Sequence, residues 1–204
     1  MSSIALEVSQ VRLTRVAAEW VSAAIPEGGF AVDATVGNGY DTLFLADRVG
    51  KGGRVLGFDV QKMALNNASE LIRFAGNLDR VRLILGCHSG LSRALTGYPR
   101  VDAAMFNLGY LPRGDHRIVT RPSTTIPAIA AVIERLSPKG RISILAYRGH
   151  PEGPEEYEAV RGFLEQSPGL EVRELAGNTE NESGPRLFLV QLEERLTSAS
   201  ERGH

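Results

Sequence analysis

Apolar residues recur at helical intervals in the first segment, where Val11, Val16, Trp20, Val21 and Ile25 fall on one face, and Pro26 with Gly28 and Gly29 ends that helix. A short apolar run at 30–34 then reads as a buried strand. The alternation continues with a helix over 40–50 closed by Gly50, a strand over 53–59, a helix over 61–76 closed by Gly76, and a strand over 80–86. A weak short helix is expected over 89–95 and a fourth strand over 101–109. Beyond the polar loop that follows, a helix spans 124–136, where Pro127 is tolerable because it lies in the first turn. A strand over 140–149, a helix over 153–166 and two strands in succession, 170–176 and 186–193, complete the pattern.

Strands alternating with helices predict an α/β fold with a mostly parallel seven-stranded sheet, helices on both faces and right-handed crossovers. Two final strands without a helix between them predict an antiparallel pair at one edge. Ligands then belong beyond the carboxyl ends of the strands. Residues 1–195 are expected to form a single domain and 196–204 a loose tail.

Composition narrows this only slightly. The 204 residues are 43% hydrophobic and 23% charged, as in an ordinary globular protein, and no apolar run has the length of a membrane span. Met1 is not followed by a basic-then-apolar leader. Cys87 is the sole cysteine and no Cys/His cluster has zinc spacing, so the expectation is a cytoplasmic protein with no disulfide and no metal. The formal net charge of −1 hides an asymmetry: residues 110–150 carry seven Lys/Arg against two acids, and the remainder 16 against 22.

The candidate chemistry begins at "AVDATVGNGYDT", residues 31–42, which leaves the first strand and enters the first crossover helix. Glycines there let backbone approach a ligand, and a helix N-terminus offers free N–H donors. A dinucleotide fingerprint needs a third glycine where Thr42 stands, and Asp33 would repel a pyrophosphate. An acid suits a cationic ligand instead. Asp59, twenty-two positions past Gly37 at the end of the second strand, stands where a carboxylate accepts ribose hydroxyls. A ribose without a pyrophosphate, and with an ammonium-bearing end, describes S-adenosylmethionine. The candidate contacts are Asp33, Thr35, Gly37, Asn38, Gly39, Asp41 and Thr42 on the first turn, Asp59 and Gln61 on the second, and Asn107 on the fourth strand. Cys87 and His88 follow the third strand and either wall the base or serve as plain core and loop residues.

The fourth strand ends in "NLGYLPRGD", which resembles a variant of the Asn/Asp-Pro-Pro-Tyr loop of methyltransferases that act on amino nitrogens. The motifs "VDATVGNGYDT", "GFDVQ", "NLGYLPRGD", "TTIPAI" and "YRGHPEG" occur here in an order that resembles the bacterial rRNA methylase family, from about Val32 to Leu192. That resemblance implies a class I methyltransferase (Rossmann-like) fold and S-adenosylmethionine-dependent N-methylation of 5-aminomethyl-(2-thio)uridine at the tRNA wobble position. Val36, Tyr40 and Arg113 replace the family's usual Ala, His and Gly.

Asn107, Tyr110, Asp115, Tyr147 and His150 are the candidate catalytic residues, with His116 in the same loop group. Arg113, Arg117, Arg121 and Arg148 are candidate phosphate contacts for a tRNA anticodon loop. A homodimer is a reasonable way for so small an enzyme to embrace an anticodon stem. Methylation of an rRNA base or a small molecule, and a non-catalytic cofactor- or RNA-binding module, are the competing readings. A carbon-5 pyrimidine mechanism would need a nucleophilic cysteine near the fourth or fifth strand, and Cys87 is on the cofactor side. Neither a Ser-His-Asp elbow nor a G-K-[ST] phosphate loop is present.

Overall fold

The computed structural model describes residues 3–111, 115, 117–177 and 184–194. Helix α1 (Ser3–Ser22) leads into strand β1 (Phe30–Asp33), α2 (Tyr40–Val49), β2 (Arg54–Asp59), α3 (Lys62–Phe74) and β3 (Val81–Leu85). A 3-10 turn (His88–Gly90) and the one-turn α4 (Leu91–Ala94) precede β4 (Val101–Leu108). The chain continues with α5 (Pro122–Arg135), β5 (Leu136–Ala146), α6 (Gly153–Glu165), β6 (Leu170–Ala176) and β7 (Arg186–Leu192).

The sheet order is β3-β2-β1-β4-β5-β7-β6, with parallel pairing from β3 through β5. β7 runs antiparallel to both β5 and β6. The expected antiparallel pair therefore exists, but the last strand lies inside it and β6 takes the edge. The burial of the two strands accounts for the order. Leu187, Phe188, Leu189 and Val190 are buried, as an interior strand covered on both faces requires, whereas β6 is largely exposed.

Alternate strand residues build two cores. Phe106 and Leu108 of β4 join Ile129 and Val132 of α5 and Val160 of α6 on one face. Ala103 and Met105 join Leu13, Ala17 and Val21 of α1 and Leu45 and Val49 of α2 on the other. The buried stripe of α1 is thus 13-17-21, and the helix starts at Ser3 rather than near 11 and stops at Ser22 rather than 25. β5 starts at Leu136, earlier than 140: Leu136 pairs with Val101 and Arg141 with Ala103, so residues 137–140 bulge out of register. This sheet brings the ends of β1, β2, β3, β4 and β5 to one edge.

Candidate functional site

Loops from that edge enclose a cavity of about 1180 Å³. Its floor is the turn after β1. Gly37 has φ 52° and Gly39 φ 86°, a left-handed conformation that side chains avoid. A Cβ on Gly39 would also lie 2.6 Å from the Ala68 Cβ, so α3 packs directly on this glycine.

Carboxylates organise the turn. Asp33 Oδ1 accepts the Thr35 N–H at 3.1 Å, and Oδ2 accepts the Thr42 hydroxyl at 2.5 Å. Asp59 Oδ2 accepts the Gly37 N–H and Oδ1 the Gln61 N–H, both at 2.8 Å, which ties the ends of β1 and β2 together. Asp41 Oδ2 accepts the Asn107 side-chain amide at 2.7 Å, and the Asn107 N–H donates to Thr35 Oγ1 at 2.7 Å. Asp33 is fully buried, and burial, reinforced by Asp41, pushes its carboxyl up to about 7. Burial also raises Asp41, with the Asn107 hydrogen bond opposing. Among the described residues none of the three acids has a Lys or Arg within ion-pair distance.

Thr35, Gly37, Asn38, Asp41, Asp59, Gln61, Cys87, His88 and Asn107 all line the cavity. Asp33, Thr42 and Gly39 stand behind that lining and shape the turn from within. His88 is buried, with Nδ1 3.3 Å from the Ala34 carbonyl and Nε2 3.4 Å from Thr125 Oγ1.

The other end of the cavity is made by Tyr110, Tyr147, Arg148 and His150. Tyr110 meets the His150 ring edge-on at 5.9 Å between centroids. His150 is only 9% exposed, and neither ring nitrogen has a hydrogen-bond partner. Burial lowers its pKa from the ordinary value, with Glu152 and then the Tyr147 backbone opposing the shift. Asp115 is not part of the lining and pairs with Arg117 at 2.7 Å. Arg121 is engaged by both oxygens of Glu152, and the Arg148 guanidinium stacks 4.5 Å over the Tyr157 ring. Arg113 and His116 lie outside the described residues.

Several participants were not anticipated. Tyr40, 71% exposed, stands at the cavity rim, and Phe58, Val60 and Thr14 add lining beside the turns. Buried Glu156 of α6 meets Thr120 Oγ1 at 2.5 Å and Thr125 Oγ1 at 2.6 Å, while Thr120 Oγ1 accepts the Gly109 N–H at 2.8 Å. The signal for Glu156 lay in the sequence: it occupies the apolar stripe with Tyr157, Val160 and Leu164, where a carboxylate requires buried partners.

Residues 55–193 match the model of the family described as "Putative rRNA methylase". The chain is 42% identical over 147 residues to a chloroplastic tRNA (mnm(5)s(2)U34)-methyltransferase of Arabidopsis thaliana, covering 68% of this chain and 54% of the relative. It is 34% identical over 94 residues to ribosomal RNA small subunit methyltransferase H of Paenibacillus sp. (strain JDR-2), covering 42% and 29% respectively. The chain thus spans about half, or less, of the length of the curated relatives it matches. Among solved structures, a "putative rRNA-methylase" from Clostridium thermocellum superposes with TM-score 0.84 at 37% identity, covering 88% of this chain and 97% of the other. A "putative methyltransferase" from Streptococcus mutans in complex with SAH gives 0.77 at 32% identity, with the same coverage. The sheet described above has the class I, Rossmann-like methyltransferase fold. With more than half its length matched and these likenesses beside it, the chain belongs to the rRNA methylase family.

Proposed function

We propose that the chain is an S-adenosylmethionine-dependent RNA methyltransferase whose target is the aminomethyl nitrogen of 5-aminomethyl-(2-thio)uridine at the tRNA wobble position. The observation that carries this reading is the continuous cavity from the acid-rich turn, past Asn107, to the two unpartnered nitrogens of His150. The relative named for mnm(5)s(2)U34 in tRNA and the relative in complex with SAH support the same assignment.

The residues present fit the cofactor. Three carboxylates without cationic partners crowd one end of the cavity, and a bound cation relieves their mutual repulsion and desolvation. S-adenosylmethionine, when bound, supplies the electrophilic sulfonium methyl. Asp59 uses one acceptor site on each oxygen for backbone amides, which leaves lone pairs for ribose hydroxyls. Cys87 and His88 wall the base, and Asp33, Gly39 and Thr42 hold the turn in shape.

The substrate nitrogen arrives as an alkylammonium with a pKa of roughly 10 and must lose a proton before it can attack. His150, kept neutral by burial, accepts that proton. Asp41 accepts a hydrogen from the Asn107 Nδ2, which turns the Asn107 Oδ1 toward the amine as the acceptor that orients it. Tyr110 and Tyr147 border the uracil. Displacement is in line, so alignment of nitrogen, carbon and sulfur is the protein's chief contribution.

RNA phosphates meet the side of the mouth carrying Arg117, Arg121 and Arg148; Arg117 and Arg121 share or exchange their carboxylate partners to do so. A second copy of this chain completing the grip on an anticodon stem, and action in the cytoplasm, belong to the same proposal. Among the described residues no helix is long and apolar enough to cross a membrane.

The test is incubation of the protein with labelled cofactor and tRNA lacking the methyl group, followed by digestion to nucleosides. Label confined to the methylaminomethyl wobble uridine is expected. Label in ribosomal RNA or in another nucleoside overturns the assignment.

A further inference from the structure

Five hydrogen bonds link the substrate side of the cavity to its cofactor side. The Gly109 N–H, just past β4, donates to Thr120 Oγ1 at 2.8 Å, and that hydroxyl lies 2.5 Å from Glu156 Oε2. Glu156 Oε1 lies 2.6 Å from Thr125 Oγ1, which lies 3.4 Å from His88 Nε2, and His88 Nδ1 lies 3.3 Å from the Ala34 carbonyl. Glu156, Thr125 and His88 are buried. Each proton in this chain must therefore have a definite place.

We propose that Glu156 is a positioning residue, held as the neutral carboxylic acid, that completes a one-directional hydrogen-bond chain from the Gly109 amide to the Ala34 carbonyl and thereby couples the substrate loop to the cofactor turn.

The donor arithmetic runs from Ala34. A carbonyl only accepts, so His88 Nδ1 carries a hydrogen. A neutral imidazole then has a bare lone pair at Nε2, and Thr125 must donate to it. A hydroxyl has a single proton, so Thr125 Oγ1 accepts from its other neighbour, and the Glu156 acid proton sits on Oε1. At the far end Thr120 receives the Gly109 N–H and gives its own proton to Glu156 Oε2, so every donor has one acceptor.

Moving the Glu156 proton through Thr125 to His88 would create an imidazolium and a carboxylate, both buried. Burial opposes that outcome at both ends, raising Glu156 and lowering His88. The charged groups that act on the pair divide: Glu152, itself paired with Arg121, raises Glu156 further, whereas Asp59, held by two backbone amides, favours a charged His88 but is outweighed there by burial.

The functional consequence rests on the methyltransferase reading. Thr120 pins Gly109, which has φ 152° and packs so close to Tyr147 that an added Cβ would lie 3.3 Å from the Tyr147 Cβ. Loss of Glu156 therefore releases the loop carrying Tyr110 and the wall formed by His88 together.

The experiment is nitrogen NMR of the full, ligand-free chain, with the His88 ring signals assigned by their loss in His88→Gln. A neutral ring protonated at Nδ1 and bare at Nε2, around neutral pH, is the expected result. An imidazolium or the opposite tautomer overturns the proposal, and this readout needs no activity.

Glu156→Gln, whose amide donates to Thr125 and whose oxygen accepts from Thr120, should keep that tautomer and stay within a few-fold of wild-type kcat. Glu156→Ala should lose roughly 10- to 100-fold in kcat by misplacing the loop. A folded Glu156→Gln that binds SAH normally yet loses as much as Glu156→Ala overturns the proposal. Absence of transfer by the wild-type chain would instead refute the functional reading, leaving the tautomer measurement to decide the role of Glu156.

Discussion

The side-chain amide of Asn107 donates to Asp41 Oδ2 at 2.7 Å, so the penultimate residue of β4 and the second residue of α2 hold one another across the cavity. This bond fixes which way the carboxamide faces, and with it the acceptor offered to the substrate amine. Asn107→Ala should lower kcat by about 10²-fold, the scale for losing one preorganised polar group, and leave Asp41 buried without its donor. Single-turnover transfer with SAH affinity measured in parallel checks this. An unchanged rate constant in a folded variant rejects the role.

Asp33 makes stability depend on pH. Its folded carboxyl is pushed up to about 7, chiefly by burial and next by Asp41, against about 3.9 in an unfolded chain. The folded state holds the extra proton, so this contribution is fully present below the unfolded value and is lost as pH rises through about 7. Urea unfolding of the ligand-free protein should show stability falling between about pH 4 and about pH 7, with the fall reduced in Asp33→Asn. Equal slopes in both proteins would show that Asp33 does not hold that proton.

A linked effect concerns binding. A cationic ligand beside Asp33 and Asp41 favours their ionised forms, so S-adenosylmethionine should expel protons near neutral pH, and SAH, without the sulfonium charge, fewer. Calorimetry in buffers of different ionisation enthalpy measures the difference. Equal release by the two ligands would show that the sulfonium charge does not act on these acids and would leave the ammonium they share as the cation felt there.

Gly39 combines a left-handed backbone with contact against α3. Gly39→Ala should destabilise the fold by about 2–4 kcal/mol, from strain at φ 86° and a Cβ driven into Ala68. Adding Ala68→Gly removes only the Cβ contact, since the new Cβ would still lie 2.7 Å from the Cα of residue 68, so the double variant should recover only a small part of the loss. Denaturant midpoints of the three variants give the coupling directly.

His150 has a kinetic signature if it takes the proton of the amine. kcat/KM should rise with pH and level off above a pKa below the ordinary 6.5, the direction set by burial. In His150→Asn the rate at neutral pH should fall by about 10²- to 10³-fold. It should then keep climbing toward the pKa of the free amine, roughly 10. A variant whose profile levels off where the wild type does excludes His150 as the proton acceptor.

Much of this architecture was legible in the chain. Apolar runs such as 30–34 and 55–58 and the acids at the ends of their strands, Asp33 and Asp59, are local signals, and they placed the turn correctly in the sheet. The position of β7 was not legible, because its pairing with β5 is decided across 40 or more residues by competition for burial rather than by the strand's own pattern. The bulge at 137–140 hid the start of β5 for a similar reason: a Pro and a Gly there read as a break, whereas the partner strand absorbs them. The electrostatics of the mouth were also hidden. The four arginines gave a local excess of positive charge, but Arg121 finds Glu152 thirty-one residues away, and Glu156 finds Thr120 only after α6 docks beside the loop.

The interior position of β7 has a consequence for the order in which the protein is made. During synthesis β5 emerges before β7, and until residues 186–192 follow, one whole margin of β5 has no strand to pair with and β6 has no neighbour at all. The cofactor turn, built from residues 30–107, can consolidate early; the Tyr147 and His150 side stays open until residues 186–192 have left the ribosome. The nascent chain therefore acquires a place for the methyl donor well before it acquires a finished place for the acceptor.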